Sequence, residues 1–115
     1  MAKLPPKKLH KRRQTDVGHY VKEWRKKRGF TQEYLAGRVD KSRGLISQIE
    51  IGETDLTEPM IYGLAAAFGC KPGDLFNVNP LKEGIVVDIT DELRGQPAEV
   101  QAEALGYIRG LVRNN

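Results

Sequence analysis

The apolar residues of this chain recur mostly at helical spacing. Val17, Val21 and Trp24 are separated by four and three residues, which predicts one face of a helix over 17–28. Gly29 follows directly, and glycine commonly ends helices because it adopts the left-handed conformation without strain. Residues 1–15 have no such pattern. They contain two prolines, six Lys or Arg and almost no apolar residues, so we expect a flexible arm in isolation.

Two short helices are predicted next, in close succession. Thr31 is a suitable N-cap for one, and Ser42 for the other, which Gly52 ends. About three residues around Asp40 join them, and aspartate is one of the few residue types besides glycine that tolerates a positive φ. Apolar residues face inward on both helices, and Ala36 is small enough for a close crossing. Two short helices joined in this way form the helix-turn-helix pattern.

A fourth and a fifth helix are predicted before residue 77. Thr57 and Pro59 are start signals, because proline is tolerated in the first turn of a helix, where its missing N–H has no partner. Gly69 ends the fourth helix. The segment 72–76 predicts a short helical turn that closes the core.

The pattern changes in the last third of the chain. Residues 84–89 are rich in β-branched side chains, four of six, and the run is too short for a helix, which predicts a strand. A last helix is predicted from about Pro97 to Arg113. The expected fold class is therefore all-α, with five helices followed by a short strand and a C-terminal helix. The expected organisation is a basic arm over 1–15, a helical domain over 16–77 and a strand-helix segment over 78–115.

Composition excludes several classes of protein. A single cysteine, Cys70, allows neither an intrachain disulfide nor a cysteine-based metal cluster, and His10 and His19 lack partners at metal-ligand spacing. No apolar run approaches the roughly 18 residues of a membrane span, and no secretory signal begins the chain. We therefore expect a cytoplasmic protein without metal or cofactor. The carboxylates at 88, 91 and 92 have no His or Lys beside them, so no enzyme is predicted.

Charge is divided unevenly along the chain. Residues 1–28 hold eleven basic and two acidic residues, a net charge of +9, whereas 29–115 hold eight basic and thirteen acidic residues, a net charge of −5. Such a basic end is attracted to a polyanion. A solvated charged tail is the alternative interpretation.

Together, the strings VKEWRKKRGFTQEYLAGRV, SRGLISQIEIG and LAAAFGCKPGDLF resemble the phage-repressor/Cro class of helix-turn-helix domains, the XRE family. The resemblance covers roughly 17–76 and implies a five-helix lambda-repressor-like domain that binds double-stranded DNA. It also implies a bacterial or phage transcriptional regulator, nucleoid-associated and in most cases a repressor.

The resemblance assigns roles to residues at matching positions. It implies that the outward face of the recognition helix reads bases in the major groove, where Arg suits guanine and Gln suits adenine. It implies phosphate contacts at the helix starts and an ion pair beneath the recognition helix. The base-reading residues are Arg43, Gly44, Ser47 and Gln48; the phosphate-binding residues are Thr31, Gln32, Lys41 and Ser42; the ion pair is Arg25 with Glu50.

Two features depart from the family pattern. Lys41 stands where the family usually has an apolar residue, so we expect its stem to cover the core. Residues 53–55, Glu-Thr-Asp, follow the recognition helix where similar proteins carry basic residues. The basic arm is the candidate that supplies the missing phosphate contacts, through Lys7, Lys8, Lys11, Arg12 and Arg13.

The C-terminal segment allows two interpretations, a packing appendage or a dimerisation element. The family usually dimerises through the segment after the helix-turn-helix domain, and dimers bind palindromic half-sites about one turn apart. We therefore expect a homodimer. Its predicted contacts are Ile85, Val87, Val100, Ala104, Ile108 and Leu111. An antitoxin-like protein that binds a protein partner through the same segment is the alternative.

Overall fold

The computed structural model describes residues 17–114, which form seven α-helices. The chain divides into two compact units, the first ending at Glu83 and the second beginning at Gly84. None of the helices in the described range is long and apolar enough to cross a membrane. The helices are α1 Val21–Arg28, α2 Gln32–Arg38, α3 Arg43–Glu50, α4 Glu58–Phe68, α5 Asp74–Asn77, α6 Gly84–Leu93 and α7 Ala98–Arg113.

Side-chain caps begin three helices of the first unit. Thr31, Ser42 and Thr57 have extended backbones, and the hydroxyl of each accepts a hydrogen bond from the N–H three residues further on. Each cap satisfies one of the backbone donors that a helix start leaves without a partner. The starts of α2, α3 and α4 are therefore fixed by local sequence.

The turn between α2 and α3 depends on Asp40. Its φ is +58°, the only positive φ among non-glycine residues of the described chain. The turn is closed by the Lys41 N–H, which donates to the Ala36 carbonyl at 2.9 Å. The prediction of a positive φ at Asp40 is therefore confirmed. A β-branched residue would be strained at this φ.

Helix α1 begins at Val21, four residues later than the predicted 17. Gly18 adopts φ +95°, which takes the backbone out of the helical path. The Tyr20 N–H donates to the Leu75 carbonyl at 2.6 Å, and the Val21 N–H donates to His19 Nδ1 at 3.3 Å. The first of these bonds ties the residue before α1 to α5.

The core of the first unit is formed by apolar faces of all five of its helices. Trp24 of α1 stacks on Phe68 of α4, with ring centroids 6.3 Å apart. Its indole N–H donates to the Asp74 and Val78 carbonyls, each at 3.1 Å, so a buried polar atom is satisfied. The largest fully buried side chains include Val21, Leu35, Ile46, Ile49, Leu64 and Leu75. This core holds α3 with one face inward.

The predicted strand over 84–89 is wrong, and so is the predicted helix count. The segment is the start of α6, and the described residues contain seven helices. β-Branched residues disfavour a helix by only a few tenths of a kcal/mol each, so context decides. Ile85 and Ile89 are four residues apart, and the Thr90 hydroxyl donates to the Val86 carbonyl at 2.9 Å. The apolar run thus continues into a ten-residue helix.

Candidate nucleic-acid interface

Helix α3 presents two different faces. Ile46 and Ile49 are buried in the core, whereas Arg43, Gly44 and Gln48 are exposed. Ser47 and Leu45 are half-buried at the edge of the outward face. The four predicted base-reading residues therefore lie together on the accessible side of one helix, beginning at its first turn.

The guanidinium of Arg43 is held only weakly. Its Nε lies 3.8 Å from Glu33 Oε2 of α2, and the two side chains are 62% and 73% exposed. An ion pair this exposed contributes little, since solvent screens it and both side chains lose freedom. Arg43 is therefore available to a ligand, with an acidic neighbour beside it that sequence reasoning missed.

Space is open at the front of α3. A Cβ added at Gly44 would meet only Ser42 Oγ, at 3.9 Å. The protein's own packing thus does not require glycine here. Further along, Gln48 Oε1 accepts a long hydrogen bond of 3.4 Å from the Thr54 hydroxyl. This bond orients the side-chain amide while its NH₂ group keeps its donors.

The predicted phosphate-binding residues lie at the starts of α2 and α3. Thr31, Lys41 and Ser42 are exposed, and Gln32 is half-buried. The Thr31 and Ser42 hydroxyls accept their capping bonds at 3.0 and 3.1 Å, which leaves their O–H groups as donors. Because Lys41 is exposed, its ammonium lies in solvent. Helix starts of this kind attract anions through their free N–H groups.

A network of charged and amide groups lies behind α3. Arg25 Nε donates to Glu50 Oε2 at 2.6 Å, and Arg25 Nη2 donates to Glu50 Oε1 at 3.1 Å. Arg25 Nη1 also donates to the Phe30 carbonyl at 2.9 Å. The Glu50 side chain is only 2% exposed and that of Arg25 13%. This bidentate pair ties α1 to the end of α3.

Gln32 belongs to the same network, which the sequence did not indicate. Its Nε2 donates to Glu50 Oε1 at 3.0 Å. A buried carboxylate has about four acceptor positions and needs several donors, and this need was the available signal. Gln32 is thus oriented from within the protein, with one N–H of its NH₂ group engaged.

His19 lies close to the end of α3. It is buried, and desolvation lowers the pKa of its imidazole below the usual 6.5, although a hydrogen bond with the Ile49 backbone and the charges of Glu23 and Glu50 act in the opposite direction. Its Nδ1 accepts the Val21 N–H. The imidazole is therefore neutral at pH 7 and is hydrogen-bonded to the Ile49 backbone of α3.

Other predicted contacts fall outside this surface. Lys7, Lys8, Lys11, Arg12 and Arg13 lie outside the described residues. Glu53 and Asp55 are exposed in the loop after α3. This loop therefore presents acidic side chains to solvent. In the described range, no group of three or more His, Cys, Asp or Glu is arranged to hold a metal ion.

The predicted dimerisation residues lie in the second unit and differ in exposure. Ile85, Val100, Ile108 and Leu111 are exposed and Ala104 is half-buried. Val87 is only 5% exposed and is not available to a partner. Of the predicted set, Ile85, Ala104 and Ile108 line one depression, and Val87 is buried.

Comparison with known proteins agrees with this geometry. A family model described as helix-turn-helix matches residues 21–75, from the first residue of α1 into α5. Residues 21–75 are a helix-turn-helix domain of this DNA-binding family. The resemblance to the XRE class, the phage-repressor/Cro type, is thereby confirmed.

One curated relative is similar over about half of the chain. The Competence pilus inhibition repressor of Acinetobacter baylyi is 34% identical over 61 residues, 53% of this chain and 56% of that protein. The chain thus spans about half the length of the curated relative it matches. No solved structure matches significantly.

Proposed function

We propose that this protein is a transcriptional regulator that binds a palindromic operator as a dimer and acts as a repressor. The observation that carries the proposal is the orientation of α3. Arg43, Gly44 and Gln48 are exposed on the face opposite Ile46 and Ile49. A helix held in this way fits the major groove of B-DNA, which is about 12 Å wide.

The chemistry of the outward face suits base edges. The Arg43 guanidinium fits guanine O6 and N7, and the Gln48 amide fits adenine N6 and N7. Leu45 is close enough to the edge to meet a thymine methyl group. At Gly44 the missing side chain lets the backbone approach the bases. Each bidentate contact is expected to discriminate by about 1–3 kcal/mol.

Phosphate contacts would fix the register of the helix. Four hydrogen-bond donors lie at the two helix starts. They are the hydroxyls of Thr31 and Ser42, the second side-chain N–H of Gln32 and the ammonium of Lys41. The arm residues add a cluster of positive charge. If the five side chains at 7, 8, 11, 12 and 13 contact phosphates, they contribute up to about 4.5 to the slope of log affinity against log salt.

The curated relative is named a repressor, which supports the proposal that this protein represses transcription. A dimer seated on a promoter would block it by occlusion, and this mechanism needs no enzymatic activity. Acting on bacterial or phage DNA, the protein would work in the cytoplasm.

Fluorescence anisotropy with a pool of DNA fragments tests the proposal. The pool includes the DNA upstream of the protein's own gene, at two salt concentrations. We expect wild type to select one palindromic fragment, and Arg43→Ala/Gln48→Ala to keep only weak, salt-sensitive binding. Lys82→Ala is the control, since it removes one charge from an exposed site outside the helix-turn-helix. Equal binding of every fragment by wild type and double variant would overturn the proposal.

A second candidate is an antitoxin-like interaction protein. The observation that favours it is the exposed apolar surface of α6 and α7, which could bind a different protein. This candidate uses the same α3 to bind its own operator. A stable co-purifying protein, released when that apolar surface is altered, would support it over the simple repressor.

A further inference from the structure

Residues 53–55, Glu-Thr-Asp, form part of the loop after α3, where the sequence departs from the family pattern. Thr54, the middle residue, makes two hydrogen bonds with Gln48, one of the predicted base-reading residues. Its N–H donates to the Gln48 carbonyl at 3.3 Å, and its hydroxyl donates to Gln48 Oε1 at 3.4 Å. The backbone and the side chain of Thr54 therefore both bind the residue that we expect to contact adenine.

The loop holds Thr54 in place without help from the Gln48 side chain. Gly52 adopts φ +85°, which turns the chain back over the last turn of α3. The Glu53 N–H donates to the Gln48 carbonyl at 2.9 Å, beside the N–H of Thr54. At the other end of the loop, the Thr57 cap begins α4. The position of the Thr54 hydroxyl is therefore set by the backbone before any ligand binds.

The Gln48 side chain is the part of this contact that needs to be held. It is exposed near the end of α3, and it is long, with several rotatable bonds. A side chain of this kind loses rotamer freedom when it binds, and this loss lowers affinity. A free amide can also change rotamer to reach other acceptors, which lowers discrimination between bases. A hydrogen bond that limits its rotamers reduces both effects.

The bond to Thr54 is compatible with base readout by Gln48. An amide oxygen has two lone pairs, so Oε1 can accept from Thr54 and from adenine N6 at the same time. The NH₂ group of Gln48 can then donate to adenine N7. The hydroxyl therefore restrains the amide without taking an atom that adenine needs.

We infer that Thr54 is a positioning residue for base readout, which holds the Gln48 amide in place and so sharpens discrimination at one base pair. Thr54 acts through Gln48 and is assigned no base contact of its own. The inference rests on the proposed function and deepens it, because it adds a specificity-determining residue outside the recognition helix.

Anisotropy with single-base-pair variants of the selected operator tests the inference. The pair read by Gln48 is the one at which Gln48→Ala loses discrimination. Thr54→Val replaces the hydroxyl by a methyl group of similar size, and we expect discrimination at this pair to fall by about three- to ten-fold. Thr54→Ser keeps a hydroxyl and should retain discrimination. Thr90→Val removes a hydroxyl from α6, outside the helix-turn-helix domain, and is the matched control.

A role of Thr54 in the loop alone gives a different result. Loss of the loop structure would lower affinity at every operator position alike, whereas positioning affects the one pair that Gln48 reads. In the Gln48→Ala background, Thr54→Val should cause no further loss of discrimination, because the restrained amide is already absent. Unchanged discrimination in Thr54→Val, equal losses at all positions, or a further loss in the double variant would overturn the inference.

NMR relaxation of the Gln48 side-chain NH₂ group in the free protein separates this inference from the proposed function. Gln48→Ala assigns the resonances by their disappearance. We expect the order parameter of this group to fall in Thr54→Val and to stay unchanged in Thr90→Val. Equal order parameters in wild type and Thr54→Val would overturn the inference. If the order parameter falls but wild type prefers no DNA fragment, the proposed function is overturned and the restraint of Gln48 by Thr54 is supported.

Discussion

The side-chain amide of Gln32 donates to Glu50 Oε1 at 3.0 Å, so the first residue of α2 is tied to the last residue of α3. Arg25 holds the same carboxylate from α1 with two hydrogen bonds. Three helices therefore meet at one buried carboxylate. This network holds the end of α3 against α1 and α2.

Breaking the hydrogen bonds to Glu50 should lower the free energy of unfolding far more than breaking the exposed Arg43–Glu33 ion pair. Arg25→Ala leaves the buried Glu50 carboxylate without its main partner, which typically costs about 3–5 kcal/mol. Glu33→Gln breaks only the exposed contact with Arg43, where we expect a change below about 1 kcal/mol. Urea unfolding followed by circular dichroism measures both. Similar midpoints for the two variants would show that Glu50 is not held as described.

Replacing Gly44 by alanine should separate stability from DNA binding. Alanine favours the helix by up to about 1 kcal/mol, and the added methyl group meets only Ser42 Oγ at 3.9 Å. The protein should therefore gain stability. Its affinity for the operator should fall, because the methyl group occupies the space in which the backbone meets the bases. Thermal unfolding and anisotropy on one preparation test this, and an unchanged affinity would argue against a close approach at Gly44.

Glu33 should limit affinity for DNA. Its carboxylate lies beside Arg43 on the surface expected to face phosphates, so it attracts the guanidinium and repels DNA. Glu33→Gln should raise affinity for any sequence by a few-fold at low salt, with a smaller gain at high salt. Glu103→Gln, which removes the same negative charge from an exposed site on α7, is a control for net charge. An unchanged nonspecific affinity for DNA in Glu33→Gln would contradict the prediction.

Stability should fall on acidification because of His19. Its folded pKa lies below 6.5, so the unfolded chain binds the proton more tightly, and stability rises with pH between the folded pKa and 6.5. The physical reason is that burial desolvates the imidazole and disfavours its charged form. His19→Asn should reduce the loss of stability between about pH 7 and about pH 5. Equal pH profiles for wild type and His19→Asn would exclude His19 as the cause.

The sequence was sufficient for the first unit because its signals are local. Caps such as Thr31 and Ser42 and the special backbone at Asp40 act within a few residues, and the inward face of α3 is set by helical spacing. Its long-range contacts were harder to predict. The Gln32–Glu50 bond joins residues 18 positions apart, and nothing in the spacing indicates it.

The second unit was predicted less well because its local signals conflict. The β-branched residues from 85 to 87 and at 89 favour a strand, whereas the Ile85–Ile89 spacing also suits a helix. Packing settles such conflicts, since the propensity differences are small. Because residues 84–89 were predicted as a strand, Ile89 and Leu93 were not included among the predicted contacts. They lie beside Ile108 only when both segments are helices.

The central claim is that α3 reads bases, and an atom exchange in the DNA tests it most directly. The operator guanine that Arg43 contacts is replaced by 7-deazaguanine, which lacks the N7 acceptor in the major groove. We predict that wild type loses about ten-fold in affinity, and that Arg43→Ala binds the two operators equally. If wild type and Arg43→Ala lose the same affinity, Arg43 does not read that guanine. If no operator guanine is sensitive in wild type, the claim that Arg43 reads a base is wrong.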